Sequence, residues 1–521
     1  GSVLGFMDGA ADAGDIYKVN LVAGQYYEFQ VSGGWDAEAG VEGDLRLSLY
    51  GPNGLGIFSN NDISSADQNS AMGFVATVTG TYFLQVRNDA TPAAGSSPTS
   101  GYELNVITKD ISALSPLDAI NWGGDDNVVP GAADGEIKVY FAGVGETFWG
   151  VTSLGWNDYE KQQAMLAFDQ YEKVLPVNFV ITDSAADADF KLVTKNTQPG
   201  ETPGILGRMG PPGTGENAGV AIFWRDGFGW NEEGGGGLQQ GGYAGFNTLV
   251  HEFGHGMGLS HPHDNGGGSA VMPGVFGPFD HVGASMLNQG IYTVMTYNPG
   301  WRQHPDGLFT VPVFTTAQGT FQETQYGYTG GLSALDIAVL QNKYGANESY
   351  NTGDNTYVLP SANQPGTFFT TIWDAGGTDT IQHDGAGPAQ IDLTAATLDY
   401  SATGGGGMSF ARTIYGGFTI ANGVVIENAT GGSGDDVLIG NSADNVLNGR
   451  GGVDTVSYER AANGVTVSLA VLGAQATGGA GADTLIDVEN LSGSKFDDTL
   501  TGNGGNNILA GGLGNDVLDG A

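Results

Sequence analysis

The sequence predicts a multidomain chain that combines α+β and all-β units. A β-sandwich is expected over residues 1–108, an α/β unit over 109–345 and a parallel β-roll over 346–521. Three observations carry that reading. Up to about Thr108, short runs rich in β-branched and aromatic residues recur between Gly, Asn and Asp turns. From there to Gly345, strand-like runs alternate with apolar residues at helical spacing. From about Asn347 the composition shifts to Gly, Asp and Asn, and nine-residue units follow one another in phase.

In the first unit the expected strands are 16–19, 26–31, 45–50, 82–86 and 102–106. Asn60, Asn61, Asp62 and Asp67 form either a calcium loop or a solvated one. The pattern Asp15-Ile16-Tyr17, Ala23-Gly24-Gln25-Tyr26 and Thr79-Gly80-Thr81-Tyr82 resembles the bacterial pre-peptidase C-terminal domain. That resemblance implies a small jelly-roll-like module attached to secreted proteases. A binding or secretion role would follow, with cell-surface association through this unit.

The second unit opens with a strand at 136–141. Asn157-Asp158-Tyr159-Glu160 reads as a capped helix start. Ala164, Phe168, Tyr171 and Leu175 then recur on one helical face, and Pro176 ends the helix. Strands are expected at 177–182 and 190–193, and another at Gly219-Val220-Ala221-Ile222-Phe223-Trp224. Gly234–237 is a flexible loop, and a helix over 247–258 follows. A closing helix spans 334–344.

The 247–258 helix carries His251-Glu252-Phe253-Gly254-His255-Gly256-Met257-Gly258-Leu259-Ser260-His261, a match to H-E-x-x-H-x-x-G-x-x-H. His251 and His255 at i and i+4 leave one helix face about a turn apart, so both reach one metal ion. Glu252 stands beside the first ligand and can act on a metal-activated water. Gly258 can adopt a left-handed conformation, end the helix and bring His261 round as a third nitrogen ligand. Three histidines leave a fourth position open, the catalytic arrangement of zinc. The bland alternative is an amphipathic helix with satisfied histidines. The chain has only seven histidines, and four of them fall between His251 and His263.

This is the metzincin form of the zinc-protease signature, which a Met turn completes. Leu259-Ser260-His261-Pro262 and Met295-Thr296-Tyr297 resemble the serralysins, secreted bacterial zinc endopeptidases with a calcium-binding β-roll. The resemblance implies His251, His255 and His261 as zinc ligands, Glu252 as general base and Met295 at the base of the turn. Tyr297 would ligate resting zinc and swing to stabilise the oxyanion; on its own it reads equally as a packed aromatic. By the same resemblance, the strand of Gly219, Val220, Ala221 and Ile222 would be the cleft edge that pairs with substrate backbone. His263 departs from the commoner family sequence; it reads as an exposed loop residue or an adventitious metal contact.

The repeats of the third unit are 431–439, 440–448, 449–457, 478–486, 493–501, 502–510 and 511–519, of the G-G-x-G-x-D-x-U-x type. Two units make one coil, with calcium between stacked turns. Asp436, Asp454, Asp483, Asp498 and Asp516 fill the sixth position, whereas Asn445 and Asn507 mark weaker or empty sites. Asp374-Ala375-Gly376-Gly377-Thr378-Asp379 resembles the first calcium loop of serralysins. Asp374, Gly376, Gly377 and Asp379 would then bind calcium with Asn351, Gly353 and Asn355, and Glu427 would pair with Asp379.

Composition narrows the function. The chain has 521 residues, 90 glycines, no cysteine and a formal charge of −40. Disulfides and thiol chemistry are excluded, and calcium is the obvious staple. The charge argues against nucleic acid and anionic membranes as partners. No apolar run of about eighteen residues is present. The lack of an amino-terminal signal peptide fits, through the resemblance, one-step bacterial secretion directed by a carboxy-terminal signal. Gly1-Ser2 reads as a cloning remnant, and the end at Gly520-Ala521, inside a repeat, suggests truncation. The expectation is a secreted, calcium-stabilised zinc endopeptidase acting on protein or peptide substrates, with one zinc and several calcium ions. The rival is a non-enzymatic, calcium-dependent adhesion protein with a relict protease domain, and the presence of Glu252 argues against it.

Overall fold

The computed structural model describes residues 2–8, 14–33, 45–60, 69–88, 99–202, 204–213, 215–230, 237–241, 244–310, 314–316, 319–321, 324–364 and 366–520. Asn61, Asp62, Asp67 and residues 234–236 of the expected glycine loop lie outside them. The described residues are mostly β, in several sheets, with three α-helices. No helix among them is long and apolar enough to cross a membrane.

Two four-stranded antiparallel sheets form the amino-terminal part. One orders Ser2–Asp8, Thr99–Lys109, Tyr26–Gly33 and Ser70–Val75; the other orders Asp15–Leu21, Gly80–Asn88, Leu45–Tyr50 and Gly56–Asn60. Leu45–Tyr50 alternates buried and half-buried residues, as expected of a strand with one face on a core. Phe29, Val31, Leu47, Met72, Tyr82, Leu84 and Leu104 fill the space between the sheets. Tyr26 leaves that core and joins Ile111 and Ala284, so the sandwich rests on the 274–286 segment of the middle region.

The middle region holds a five-stranded sheet ordered Asn178–Ile181, Glu136–Phe141, Phe190–Lys195, Val220–Trp224 and Gly207–Met209. The first four strands are parallel and the last is antiparallel. This corrects one expectation. The strand of Val220, Ala221 and Ile222 is not an edge; it is paired on both sides, and all of Val220–Trp224 is buried. An unbroken apolar run marks a strand covered on both faces. Gly219 precedes it in a left-handed turn (φ +67°), where a Cβ would lie 2.0 Å from the Asp189 carbonyl oxygen. The edge on that side is Gly207–Met209, three residues long, without the hydrophobic pattern that announces a strand.

Helix α1 (Asp158–Val174) starts with the expected capping box. Asn157 Oδ1 accepts from Glu160 N at 2.8 Å, and Glu160 Oε2 accepts from Asn157 N at 2.9 Å. Its buried face meets α2 (Ala244–Gly256), where the rings of Phe168 and Phe253 stack at 3.8 Å. Tyr171 donates its hydroxyl to the Val250 carbonyl at 2.6 Å. These contacts fix the rotation of α2 and aim its histidine face away from the core. The third helix, α3 (Ala334–Tyr344), spans the predicted residues and is buried along its first two turns.

Beyond α3 the chain coils. Val437–Ile439 pairs in parallel with Thr455–Ser457, and Thr499–Thr501 with Val517–Asp519, each two nonapeptides apart. One face is a single eight-stranded sheet ending at Leu509–Ala510. The opposite face is divided. A six-stranded sheet ends at Ala482–Ile486 and Gln475–Ala476, and a separate three-stranded sheet begins with Thr466–Ser468. The stretch that interrupts the repeats therefore supplies the first strand of a new sheet.

Candidate metal centre

Helix α2 ends in a turn at Gly258, which takes φ +91° as expected. The turn returns the chain so that His261 faces His251 and His255. The Nε2 atom of His261 lies 3.1 Å from that of His251 and 3.0 Å from that of His255. The outward nitrogens are all engaged. His251 Nδ1 meets the Val294 carbonyl at 2.8 Å, His255 Nδ1 the Leu259 carbonyl at 3.0 Å, and His261 Nδ1 Asp264 Oδ2 at 2.8 Å. Carbonyls and carboxylates only accept, so each Nδ1 carries the proton. The three Nε2 atoms therefore present lone pairs to one another. Such a trio is repulsive until a cation takes the space between, and three imidazole nitrogens suit zinc. Burial, followed by its histidine neighbours, pushes His251 well below the usual range, and His255 falls to about 3. Both are thereby kept neutral, as ligation requires.

Glu252 is buried beside this trio. Its carboxyl is pushed up to about 8 by burial, partly offset by the Met209 N–H, and Oε2 has no hydrogen-bond partner. Gly207 on the edge strand closes over it: a Cβ there would sit 2.6 Å from Glu252 Cγ. A cavity of about 350 Å³ opens along this carboxylate, lined by Gly207, Thr248, His251, Phe279, Tyr297 and Tyr328. The expected strand residues Gly219, Val220, Ala221 and Ile222 do not line it.

Tyr297 stands at the mouth, 39% exposed, with its ring 4.9 Å from that of His261 and 5.7 Å from that of His251. Burial, then the Glu252 and Asp264 charges, raise its phenol to about 12, so it remains a proton donor. Met295 is fully buried, and a Cβ on Gly254 would meet its Sδ at 2.7 Å. That contact explains a glycine inside the motif which ligand spacing alone does not require. His263 is not an exposed loop residue. It is half-buried, stacks on His261 at 4.7 Å and 14°, and leaves Nδ1 buried without a partner.

The acidic loops differ in kind. Among the described residues, three side-chain donors converge within 4.8 Å at His251, His255 and His261, and at His261, His263 and Asp264. At the expected first calcium loop, Asp379 Oδ1 accepts from Asn355 N at 2.7 Å, and Glu427 Oε2 accepts from Asp379 N at 2.8 Å. Asp374 Oδ1 accepts from Gly376 N at 2.9 Å, while its Oδ2 takes the Tyr357 hydroxyl, which Asn351 Nδ2 also reaches. The Gly353 carbonyl oxygen lies 2.3 Å from where a Cβ on Gly377 would be. Asp379 Oδ2 and Asn355 Oδ1 are buried without partners. Burial, then the Asp374 and Glu427 charges, raise Asp379 to about 6. Converging, under-satisfied oxygens of this kind fit a hard divalent cation.

In the repeats, each sixth-position aspartate reaches the neighbouring coil or its own turn. Asp436 accepts from Gly432 N and Ala389 N, Asp454 from Asp436 N, Asp483 from Asn445 N, Asp498 from Ser494 N and Val465 N, and Asp516 from Asp498 N. Asp454 Oδ2 remains buried and unpartnered. Asn445 and Asn507 satisfy themselves: each amide oxygen accepts from a turn N–H, and each amide nitrogen donates to a carbonyl on a neighbouring turn.

A mainly β chain with a histidine trio beside a buried glutamate has metallopeptidases among its relatives. Residues 340–517 match the family model described as Peptidase M10 serralysin C terminal, and residues 13–88 match the bacterial pre-peptidase C-terminal domain. The chain is thus similar to the serralysins, and the segment ahead of the metal centre resembles the pre-peptidase C-terminal domain. It is 30% identical over 311 residues to a metallopeptidase AprA of Pseudomonas marginalis, covering 56% of each chain. Its identity to a serralysin of Photorhabdus luminescens is also 30%, over 57% of this chain and 56% of the relative. With serralysin G of Dickeya chrysanthemi it is 36% over 219 residues, 39% of this chain and 37% of the other. The chain spans a little over half the length of the first two.

Proposed function

We propose that this protein is a secreted zinc endopeptidase with a calcium-stabilised β-roll, organised as a sandwich over 1–108, a metzincin protease domain over 109–345 and a roll over 346–521. The observation that carries the reading is the convergence of three Nε2 lone pairs beside a buried, half-satisfied carboxylate. His251, His255 and His261 hold one zinc ion, which supplies Lewis acidity to water and to the scissile carbonyl. Glu252 accepts the proton of the attacking water and returns it to the leaving amine; its lowered acidity suits it to holding that proton between the steps. The Tyr297 phenol donates to the oxyanion. An extended peptide pairs with the exposed side of Gly207–Met209 rather than with the buried 220–224 strand. Calcium is held at the Asp374–Asp379 loop and between the repeat turns; secretion follows the serralysin resemblance, and surface association the amino-terminal unit's resemblance to the pre-peptidase C-terminal domain.

The test is Glu252→Gln. This variant should bind zinc as the wild type does while casein hydrolysis collapses. Near wild-type turnover in the zinc-loaded variant would overturn the mechanism, and a wild-type protein that binds zinc yet cleaves no protein would favour the adhesion alternative.

A further inference from the structure

We propose that Asp336, in the first turn of α3, is a positioning residue for the metal centre that acts through Val294 on His251. The inference rests on the zinc reading above.

The Asp336 side chain is fully buried, and no cation pairs with it among the described residues. Its Oδ1 accepts from Thr293 Oγ1 at 2.6 Å. Its Oδ2 accepts from Val294 N at 2.7 Å and from Ser333 N at 2.9 Å. Val294 is the residue whose carbonyl takes the His251 Nδ1–H at 2.8 Å. One residue thus receives the carboxylate on its N–H side and the ligand imidazole on its carbonyl side. Thr293 Oγ1 also accepts from Met295 N at 3.1 Å, which ties the carboxylate to the Met turn as well. The helix end is anchored to the same segment: Ser333 Oγ donates to the Gly290 carbonyl at 2.7 Å, and Leu335 N to the Tyr292 carbonyl at 3.0 Å.

A helix cap alone does not account for this group. Capping a first turn is ordinarily done at the surface by a residue that water also solvates. Here a carboxylate is taken fully out of water, which is costly without a cation. Three donated hydrogen bonds offset that cost and make the turn rigid. The negative charge also polarises a chain of bonds through the Thr293 hydroxyl to Met295 N–H, which shares a peptide plane with the Val294 carbonyl, so that this carbonyl accepts more strongly from His251 and the opposite nitrogen becomes the better ligand. Because α3 leads directly into the repeat region, the same bonds connect the site to whatever steadies the start of the roll.

The informative variant is Asp336→Asn. Its amide can donate to Thr293 Oγ1 while its oxygen keeps Val294 N and Ser333 N, so the cap survives and the charge is lost. Three quantities are measured: zinc dissociation by chelator competition, the visible spectrum of the cobalt(II)-substituted protein, and the melting point of the metal-free protein. Zinc affinity should fall about 10- to 100-fold, the scale for outer partners of a ligand histidine, and the cobalt bands should shift. Unchanged affinity and an unchanged cobalt spectrum, with only a lower metal-free melting point, would reduce Asp336 to a cap and overturn the inference. If Asp336→Asn does not fold, Thr293→Val decides. It leaves the carboxylate in place and cuts one of its ties to the turn, so affinity should fall about 3- to 10-fold; equal affinity overturns the inference. A wild-type protein that binds neither zinc nor cobalt would overturn the metal reading first and this inference with it.

Discussion

Gly254→Ala sets helix propensity against packing at a single atom. Gly254 lies inside α2, where alanine is favoured over glycine by about 1 kcal/mol. The added Cβ would lie 2.7 Å from Met295 Sδ, 3.3 Å from Leu259 Cδ1 and 3.4 Å from Tyr171 Oη. Non-bonded carbons normally rest about 3.5–4.0 Å apart, so the sulfur overlap is about 1 Å. Met295, Leu259 and Tyr171 are all fully buried, and the Tyr171 hydroxyl is held by Val250, so none has free space to move into. Overpacking a core of this density costs about 1–3 kcal/mol. Set against the propensity gain, the expected net loss is about 1 kcal/mol, or about 2–4 °C in melting point for a unit of this size. Relief by moving Met295 would also draw the Val294 carbonyl away from His251, so zinc affinity should fall with stability. Both are measured on a Glu252→Gln background to prevent self-digestion, by calorimetry of the metal-free protein and by chelator competition. A melting point raised by a few degrees with unchanged zinc affinity would show that propensity wins and that the Met295 contact is loose.

If the phenol serves the oxyanion as proposed, Tyr297→Phe should lower kcat by about 10²-fold with little change in KM; a raised KM with unchanged kcat would make Tyr297 a substrate-positioning or packing residue. Calcium removal should abolish hydrogen-exchange protection across 431–519 while the amino-terminal sandwich, with its own core, keeps its protection. The calcium-free roll should also depend on pH. Burial raises Asp379, Asp454 and Asp483 to about 6 in the folded chain, above about 3.9 for an unfolded aspartate. Their contribution to stability is complete below about pH 4 and is lost as pH rises through about 6. With chelator present, protection should therefore be greater near about pH 4.5 than near about pH 7.5. Protection that instead increases with pH would mean these carboxyls are ionised and compensated in the folded state.

The sequence is most legible where local rules and the fold agree. The capping box at Asn157 and Glu160, the left-handed Gly258 and the start of α3 each follow from residues within one turn of each other, and the repeat phase follows from nine-residue units that recur in step. The three zinc-ligand candidates were legible for the same reason: their spacing is set by one helix and one turn. The edge strand was not. Gly207-Arg208-Met209 has no periodicity of its own and is defined by pairing with Val220–Trp224, so the stronger apolar run drew the assignment. The burial of His263 is equally hidden, because it depends on stacking on His261 and on a tilted contact with Tyr297, the latter more than thirty positions downstream. The strands Ser70–Val75 and Gly56–Asn60 carry no comparable signal; the first is buried along most of its length and shows no alternation. The Asp336 contacts with the Met turn join residues about forty positions apart, a distance at which no sequence pattern operates.

The divided face of the roll makes one kind of damage silent. Leu472 is 94% exposed and lies between the strand that opens the three-stranded sheet and the one that closes the six-stranded sheet. Cleavage there severs the covalent chain but crosses no rung of the continuous face. Thr455–Ser457 would still be bonded to Asn490–Ser492, and Thr466–Ser468 to Thr499–Thr501, across the cut. The two fragments would stay clasped like the halves of a hinge whose pin is intact. A nicked molecule would therefore run as one body on a native gel and separate only under denaturant, so the chain could carry such wear without losing its shape.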